Sequence, residues 1–219
     1  MTVGGLDAHE FAALHSSRTR SWNRSGAPAQ PAPPDSPLLA LVESNHWRNH
    51  RIWQMEDHAR RLDCDDVTIA QLKRRIDREN QMRNDAIERI DDEIIRLLET
   101  ASVSVRDDAE IYSETPGSII DRMSVLSLRV HHMALQAERG TASSSHRAQC
   151  RDKHELLVEQ SARLTHCLSR LLEQLSEGRI RLIPTPRFKM YNDPDLNPAL
   201  HGAASAEARR PPVAIHEHE

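Results

Sequence analysis

The sequence predicts an all-α protein, an elongated antiparallel four-helix bundle, and three observations carry that prediction. Long segments space their apolar residues three and four positions apart, which gathers them on one face of a 3.6-residue helix. Helix start and stop signals bracket each of these segments. Of the 219 residues, 38% are hydrophobic, 28% charged and only 3% aromatic, a balance that suits helices with solvated outer faces and argues against a β-sandwich. A chain of this length fits one sizeable domain with its own core.

Residues 1–35 are rich in Ser, Arg, Ala and Pro and end in Ala-Pro-Ala-Gln-Pro-Ala-Pro-Pro before Asp35. With little to bury, they are expected to form a disordered arm. The helical domain then spans 36–200. Ser36 supplies an N-cap hydroxyl and Pro37 the preset first helical position, opening a helix that runs to about Leu62 with Leu38, Val42 and Ile52 on its apolar stripe. After a turn near Cys64, Asp65 or Asp66 caps a helix of about 35 residues, or about 50 Å at 1.5 Å per residue. Thr115 and Pro116 start a third helix, ending near Arg139, with Ile119, Met123, Leu126, Val130 and Met133 on one face. Gly140 and a Ser-rich turn lead to the fourth helix, from about Ser144 to Glu177, whose stripe of Leu157, Gln160, Leu164, Leu168, Leu171 and Leu175 stops at Gly178. Four prolines between 179 and 200 predict an extended strap that packs through Phe188, Met190 and Tyr191. Residues 201–219 are expected to be disordered.

Several function classes find no support. The net charge of -4 gives no basic field for nucleic acid. No apolar run approaches the roughly 18 to 20 residues of a membrane span, and the N-terminus lacks the apolar stretch of a secretion signal. A soluble cytoplasmic protein is expected. Cys64, Cys150 and Cys167 lie far apart and read as free thiols. There is no glycine-rich phosphate loop, nucleophile elbow or paired-cysteine motif.

The informative feature is where the stripes break. The second helix reads Ile69, Leu72 and Ile76, then Asn80 and Arg83, then Ile87, Ile90, Ile94 and Leu97. The first reads Leu38 and Val42, then Asn45 and Asn49, then Ile52. Pairing the two antiparallel sets Asn49 level with Asn80 and Asn45 level with Arg83. Polar groups that meet inside a bundle need partners, since an unsatisfied one costs about 1–3 kcal/mol. Pairing the last two helices likewise brings Gln160 near Asp121 and Arg122. Two readings stand: a buried network that fixes helix register, or a ligand site of the kind that bundle interiors often hold.

Four motifs in order carry a resemblance. They are Asn49-His-Arg-Ile-Trp53-Gln-Met-Glu56-Asp57, then Ile76-Asp77-Arg-Glu-Asn80-Gln-Met-Arg83-Asn84-Asp85, then Glu114-Thr-Pro-Gly-Ser-Ile-Ile-Asp121-Arg122, and Lys189-Met-Tyr-Asn-Asp193-Pro. Over about residues 40–200 the chain resembles the bacterial helical family catalogued as domain of unknown function 4254. Members are often encoded near glycosyltransferases, and the resemblance therefore implies, by association, sugar or secondary-metabolite biosynthesis. The family pattern carries a histidine after the tryptophan where this chain has Gln54, so no role of that imidazole transfers.

Together these features predict a protein that binds, and can transform, a small anionic metabolite: a sugar phosphate, nucleotide sugar or carboxylate. Arg83 and Arg122 would grip the anion through planar guanidinium forks. Asn49, Asn80 and Asn84 would orient it, and Gly117 and Ser118 would offer backbone N–H groups at a helix start. Glu56, Asp57 and Asp121 are the candidate catalytic carboxylates, a role that requires a pKa raised by burial. Lys189, Tyr191 and Asn192 would close over the site from the strap. The alternative is a non-catalytic helical adaptor for a biosynthetic enzyme such as a glycosyltransferase, and long amphipathic helices also leave a homodimer open.

A third reading is a metal-dependent helical phosphohydrolase. It rests on Asp85, Glu88 and Asp91 at i, i+3 spacing followed by Asp92, but no matching carboxylate pair stands on another helix. His46 and His50, one turn apart with Asp57 further along, are weak metal-ligand candidates. No metal is assigned, and the cofactor is unknown.

Overall fold

The computed structural model describes residues 3, 6–26, 36–184, 196 and 197. Five helices dominate: α1 Ala8–Ser25, α2 Pro37–Ala59, α3 Asp66–Thr100, α4 Pro116–Glu138 and α5 Ser144–Ser176. Two short parallel strands, β1 Glu110–Ile111 and β2 Ile180–Arg181, tie the segment after α3 to the segment after α5. The protein is all-α apart from this pair. All of these elements belong to one compact unit, 1–186. In a second unit, 187–219, only Leu196 and Asn197 are described.

The predicted caps operate. Ser36, Asp65, Thr115 and Ser143 each accept a backbone N–H in the first turn of α2, α3, α4 and α5, satisfying amides that have no partner inside the helix. Gly178 has φ of 67° and lies so close to Ser104 that an added Cβ would sit 2.1 Å from its carbonyl oxygen. Only glycine meets both conditions.

The N-terminal arm is a correction. Residues 8–25, expected to be disordered, form α1, which buries Ala8, Phe11, His15, Thr19 and Trp22. These positions recur every three or four residues, so the stripe is helical in period. It was obscured because two of its five members, a histidine and a threonine, are polar. Asp7 caps the helix by accepting the His9 N–H at 2.8 Å. The architecture changes accordingly from four helices to five. The two hairpins α2–α3 and α4–α5 are present, but α5 makes its main helix contacts with α4 and α1, and α1 packs on α2, α4 and α5. Helix α4 is central and touches the other four.

The main core collects Phe11 of α1, Leu38 and Val42 of α2, Ile90 and Ile94 of α3, Ile120 of α4, and Leu168, Leu172 and Leu175 of α5. A second small cluster, Met55, Leu72 and Ile76, closes the far end of the α2–α3 hairpin. The polar interruption of both stripes lies between these clusters in sequence. Part of it is ionic: Glu79, buried in the α3 gap, pairs with Arg48 at 2.9 Å and Arg51 at 3.0 Å, and both guanidinium groups lie over the Trp47 ring. This sets residues 48–51 opposite residue 79, the register that antiparallel pairing predicts. Of the expected strap, the start through 184 is described and Ile180 is buried. The remainder, with Lys189, Tyr191 and Asn192, and the tail 201–219 lie outside the described residues.

Candidate anion-binding groove on the central helix

The polar layer converges on Asp121, one turn inside α4 and 5% exposed. Its Oδ1 accepts from Asn45 Nδ2 at 3.0 Å, Asn49 Nδ2 at 2.9 Å and Arg83 Nε at 2.7 Å, and its Oδ2 accepts from Arg83 Nη2. Three helices are thereby pinned to one carboxylate. Asn49 Nδ2 also reaches Ser124 Oγ at 2.9 Å. From there the chain of contacts continues through His46 Nδ1 (2.8 Å from Ser124 Oγ) and His46 Nε2 (3.0 Å from Thr19 Oγ1) to Ser127 Oγ (3.1 Å from Thr19). This is a satisfied network, and such networks fix a single packing arrangement.

The surroundings of Asp121 do not give the raised pKa that its expected proton-transfer role requires. Burial alone would raise its carboxyl, but the Arg83 hydrogen bonds and charge, with the Asn49 and Asn45 amides, outweigh burial and hold it below the ordinary carboxylate range. A carboxylate with four donors and a lowered pKa does not take up protons near neutrality.

Two clefts share Arg83, Val125 and Arg129. One, of about 450 Å³, runs between α4 and α5 and brings Arg122, Arg163 and Gln160 to the shared arginines. The other, of about 470 Å³, runs between α2 and α4 and is lined by Asn49, Trp53, Glu56, Asp57 and Arg60. Asn49, Glu56, Asp57 and Arg83 thus meet in one cleft, with Arg122 in the adjoining one. Trp53 stacks on His132, with ring centroids 4.7 Å apart and planes within 8°.

Most of the cations are already engaged. Arg83 is held by Asp121, Arg122 by Glu114 at 2.7 Å and Arg60 by Glu56 at 2.8 Å. Arg129 makes no ion pair among the described residues. It stands two turns beyond Arg122 on the same face of α4, and that i, i+7 spacing was the sequence signal that could have identified it.

Other expected site residues have different tasks. The Gly117 N–H donates to the buried Asp91 carboxylate at 2.7 Å, and a Cβ there would sit 2.6 Å from the Ile87 carbonyl oxygen. This glycine lets α4 start against α3, so its amide is not offered to an anion. Ser118 donates its N–H to the Thr115 hydroxyl at 3.3 Å and so belongs to the cap. Asn80 and Asn84 are half-buried and line neither cleft. Asp91, part of the acidic run at i, i+3 spacing, is buried as the acceptor for Gly117.

His46 is committed to Ser124 and Thr19. Among the described residues, no group of three or more His, Cys, Asp or Glu side chains is arranged to hold a metal ion. No helix is long and apolar enough to cross a membrane among those residues. The three cysteines are free.

The chain belongs to the family described as "Protein of unknown function (DUF4254)", whose model matches residues 39–183. That span takes in α2 to α5, both clefts and the Asp121 network except Thr19, and leaves out α1. No curated protein and no solved structure is similar enough to the chain to match it.

Proposed function

We propose that the protein binds, and can transform, a small anionic metabolite of the sugar-phosphate or nucleotide-sugar class in the paired clefts along α4. The observation that carries this reading is the division of labour across the shared Arg83 and Arg129. On one side Arg122 and Arg163 extend a cationic row, suited to phosphate oxygens. On the other, the half-exposed Trp53 ring stands with Asn49, Glu56 and Asp57, an aromatic face beside hydrogen-bonding groups that suits a polyol.

Arg83 is the fixed element. Its Nε and Nη2 are spent on Asp121, which locks the guanidinium plane at the wall of both clefts. Arg129 supplies charge that no ion pair among the described residues neutralises. Of the candidate catalytic carboxylates, Glu56 and Asp57 lie in the cleft and are the ones in reach of a ligand proton.

The test is thermal unfolding in the presence of inorganic phosphate, glucose 1-phosphate and UDP-glucose. At about 100 times its dissociation constant, a ligand adds about 2.7 kcal/mol, a shift of several degrees at this size. Arg129→Leu, an exposed substitution, is expected to abolish the shift and leave the unliganded midpoint in place. A full panel without a shift, or a shift that survives Arg129→Leu, would overturn the assignment.

A further inference from the structure

The opposite face of α4 carries a third cleft, of about 540 Å³, between α1, α4 and α5. It has no arginine row. Apolar surface prevails in its wall, which includes Ala12, Met123 and Val130, but Ser16, Thr19, Arg20 and Ser127 line it as well, together with His15 and His131. Both nitrogens of His15 and Nε2 of His131 are buried without a hydrogen-bond partner among the described residues, and His15 is fully buried. Folded proteins seldom leave such groups unmatched, and each one left so calls for an explanation.

Solvent is a poor explanation. At about 30 Å³ per molecule the cleft would take on the order of 18 waters, most of them against methyl and methylene groups that offer no bond. An apolar cleft of several hundred Å³ with a few polar groups is instead the usual form of a small-molecule site.

We infer that this cleft is a second binding site, for an uncharged apolar molecule that carries a hydroxyl group, such as a phenol. The argument for a hydroxyl is the donor count. A neutral imidazole presents one N–H and one lone pair, and a hydroxyl both donates and accepts, so it matches either nitrogen. A carboxylate would only accept, so at each ring it matches the N–H and never the lone pair, and Arg20, the cation in the same cleft, already donates to Ser16 Oγ at 2.6 Å. A cation would face the Arg20 guanidinium in the same cleft. The imidazoles are neutral at pH 7 by environment: burial pushes His15 down to about 4, and burial with the Arg20 charge lowers His131. The two histidines lie just behind the cleft surface, and side-chain adjustment of the kind common on binding brings them to the ligand.

This site is independent of the anion groove, and its test is separate. Binding of p-cresol, toluene and benzoate to the full chain is measured by protein-observed NMR. Saturable p-cresol binding is expected, with toluene and benzoate weaker by about tenfold or more, the worth of one hydrogen bond. His15→Leu should weaken p-cresol about tenfold. Ala162→Trp, a substitution at the exposed rim, should block it by filling the cleft. Arg129→Leu should change nothing. The inference is overturned by absence of saturable p-cresol binding at millimolar concentration, by binding that both His15→Leu and Ala162→Trp leave intact, or by toluene or benzoate binding as tightly as p-cresol.

Discussion

The two faces of α4 use polar residues in opposite ways. On one, Arg122 and Arg129 stay at the surface, where water solvates their charge and little stability is spent on keeping them. On the other, His15, His46 and His50 are hidden behind α1 as neutral rings, and His46 and His50 pack against Trp22 with centroids 5.2 and 5.5 Å away. The difference teaches where each face is vulnerable. Charge held at the surface can be removed with little effect on folding and a large effect on ligand. Neutral bases held inside make folding itself depend on proton concentration.

The sharpest way to break this comparison is at the residue that joins the faces. Asp121 fixes Arg83 on the groove side, and through Asn49 and Ser124 it connects to His46 on the α1 side. Asp121→Leu leaves a partly buried guanidinium and two buried amides without their acceptor. Removing one member of a buried ion pair costs about 3–5 kcal/mol, which at this size lowers the unfolding midpoint by roughly 10 °C. Calorimetry showing a change of only a degree or two would mean that the network does not hold the helices together.

Acid provides the next largest effect and separates the faces by pH. His15 and His50 are lowered from 6.5 to about 4 and His46 is lowered well below 6.5, in each case chiefly by burial. A base whose folded pKa lies below its unfolded value binds its proton more readily when unfolded. Stability is therefore complete above pH 6.5 and falls as pH drops from 6.5 toward 4, by about 2 kcal/mol at pH 5 for each ring shifted to about 4. The Asp121 contribution has the same sign of shift and acts at lower pH. It is intact above the unfolded value of 3.8 and is lost only as pH falls below that, through the depressed folded pKa. Urea unfolding at pH 7, 6 and 5 should thus show a steady loss before Asp121 is protonated. A flat profile over this range would contradict neutral burial of the three histidines.

How much of this was legible in the sequence follows the same division. The helices α2 to α5 were readable because leucine and isoleucine ladders and Ser, Asp and Thr caps report their own structure. The break in the stripes located the polar layer, and Asn49, Glu56, Asp57, Arg83 and Arg122 were found because they stood out against apolar or motif backgrounds. Helix α1 was missed because a buried histidine and threonine look like surface residues when counted by type. Asp121 was recognised as important but given a proton-transfer role, since burial was foreseeable and the three donors that outweigh it were not. The task of Gly117 depends on an approach to the Ile87 carbonyl that only packing reveals. Arg129 was legible in principle, two turns from Arg122, and was passed over as one more charge on a charged helix.

The smallest effect is the most discriminating. At pH 7, His15→Leu removes a ring whose nitrogens bond nothing and puts a side chain of comparable reach into an apolar wall. Relieving unsatisfied polar groups offsets the small loss of packing, so stability should stay level or rise by about 1 kcal/mol. His46→Leu removes two buried hydrogen bonds, leaving Ser124 to Asn49 and Thr19 to Ser127, so it should destabilise by about 1–3 kcal/mol. Arg129→Leu, on the solvated face, should stay within about 0.5 kcal/mol. If His15→Leu proved as damaging as His46→Leu, His15 would have a partner in solution and the α1 face would be ordinary core. If it is harmless to folding, the ring is retained at a cost in stability, as expected of a group kept for binding.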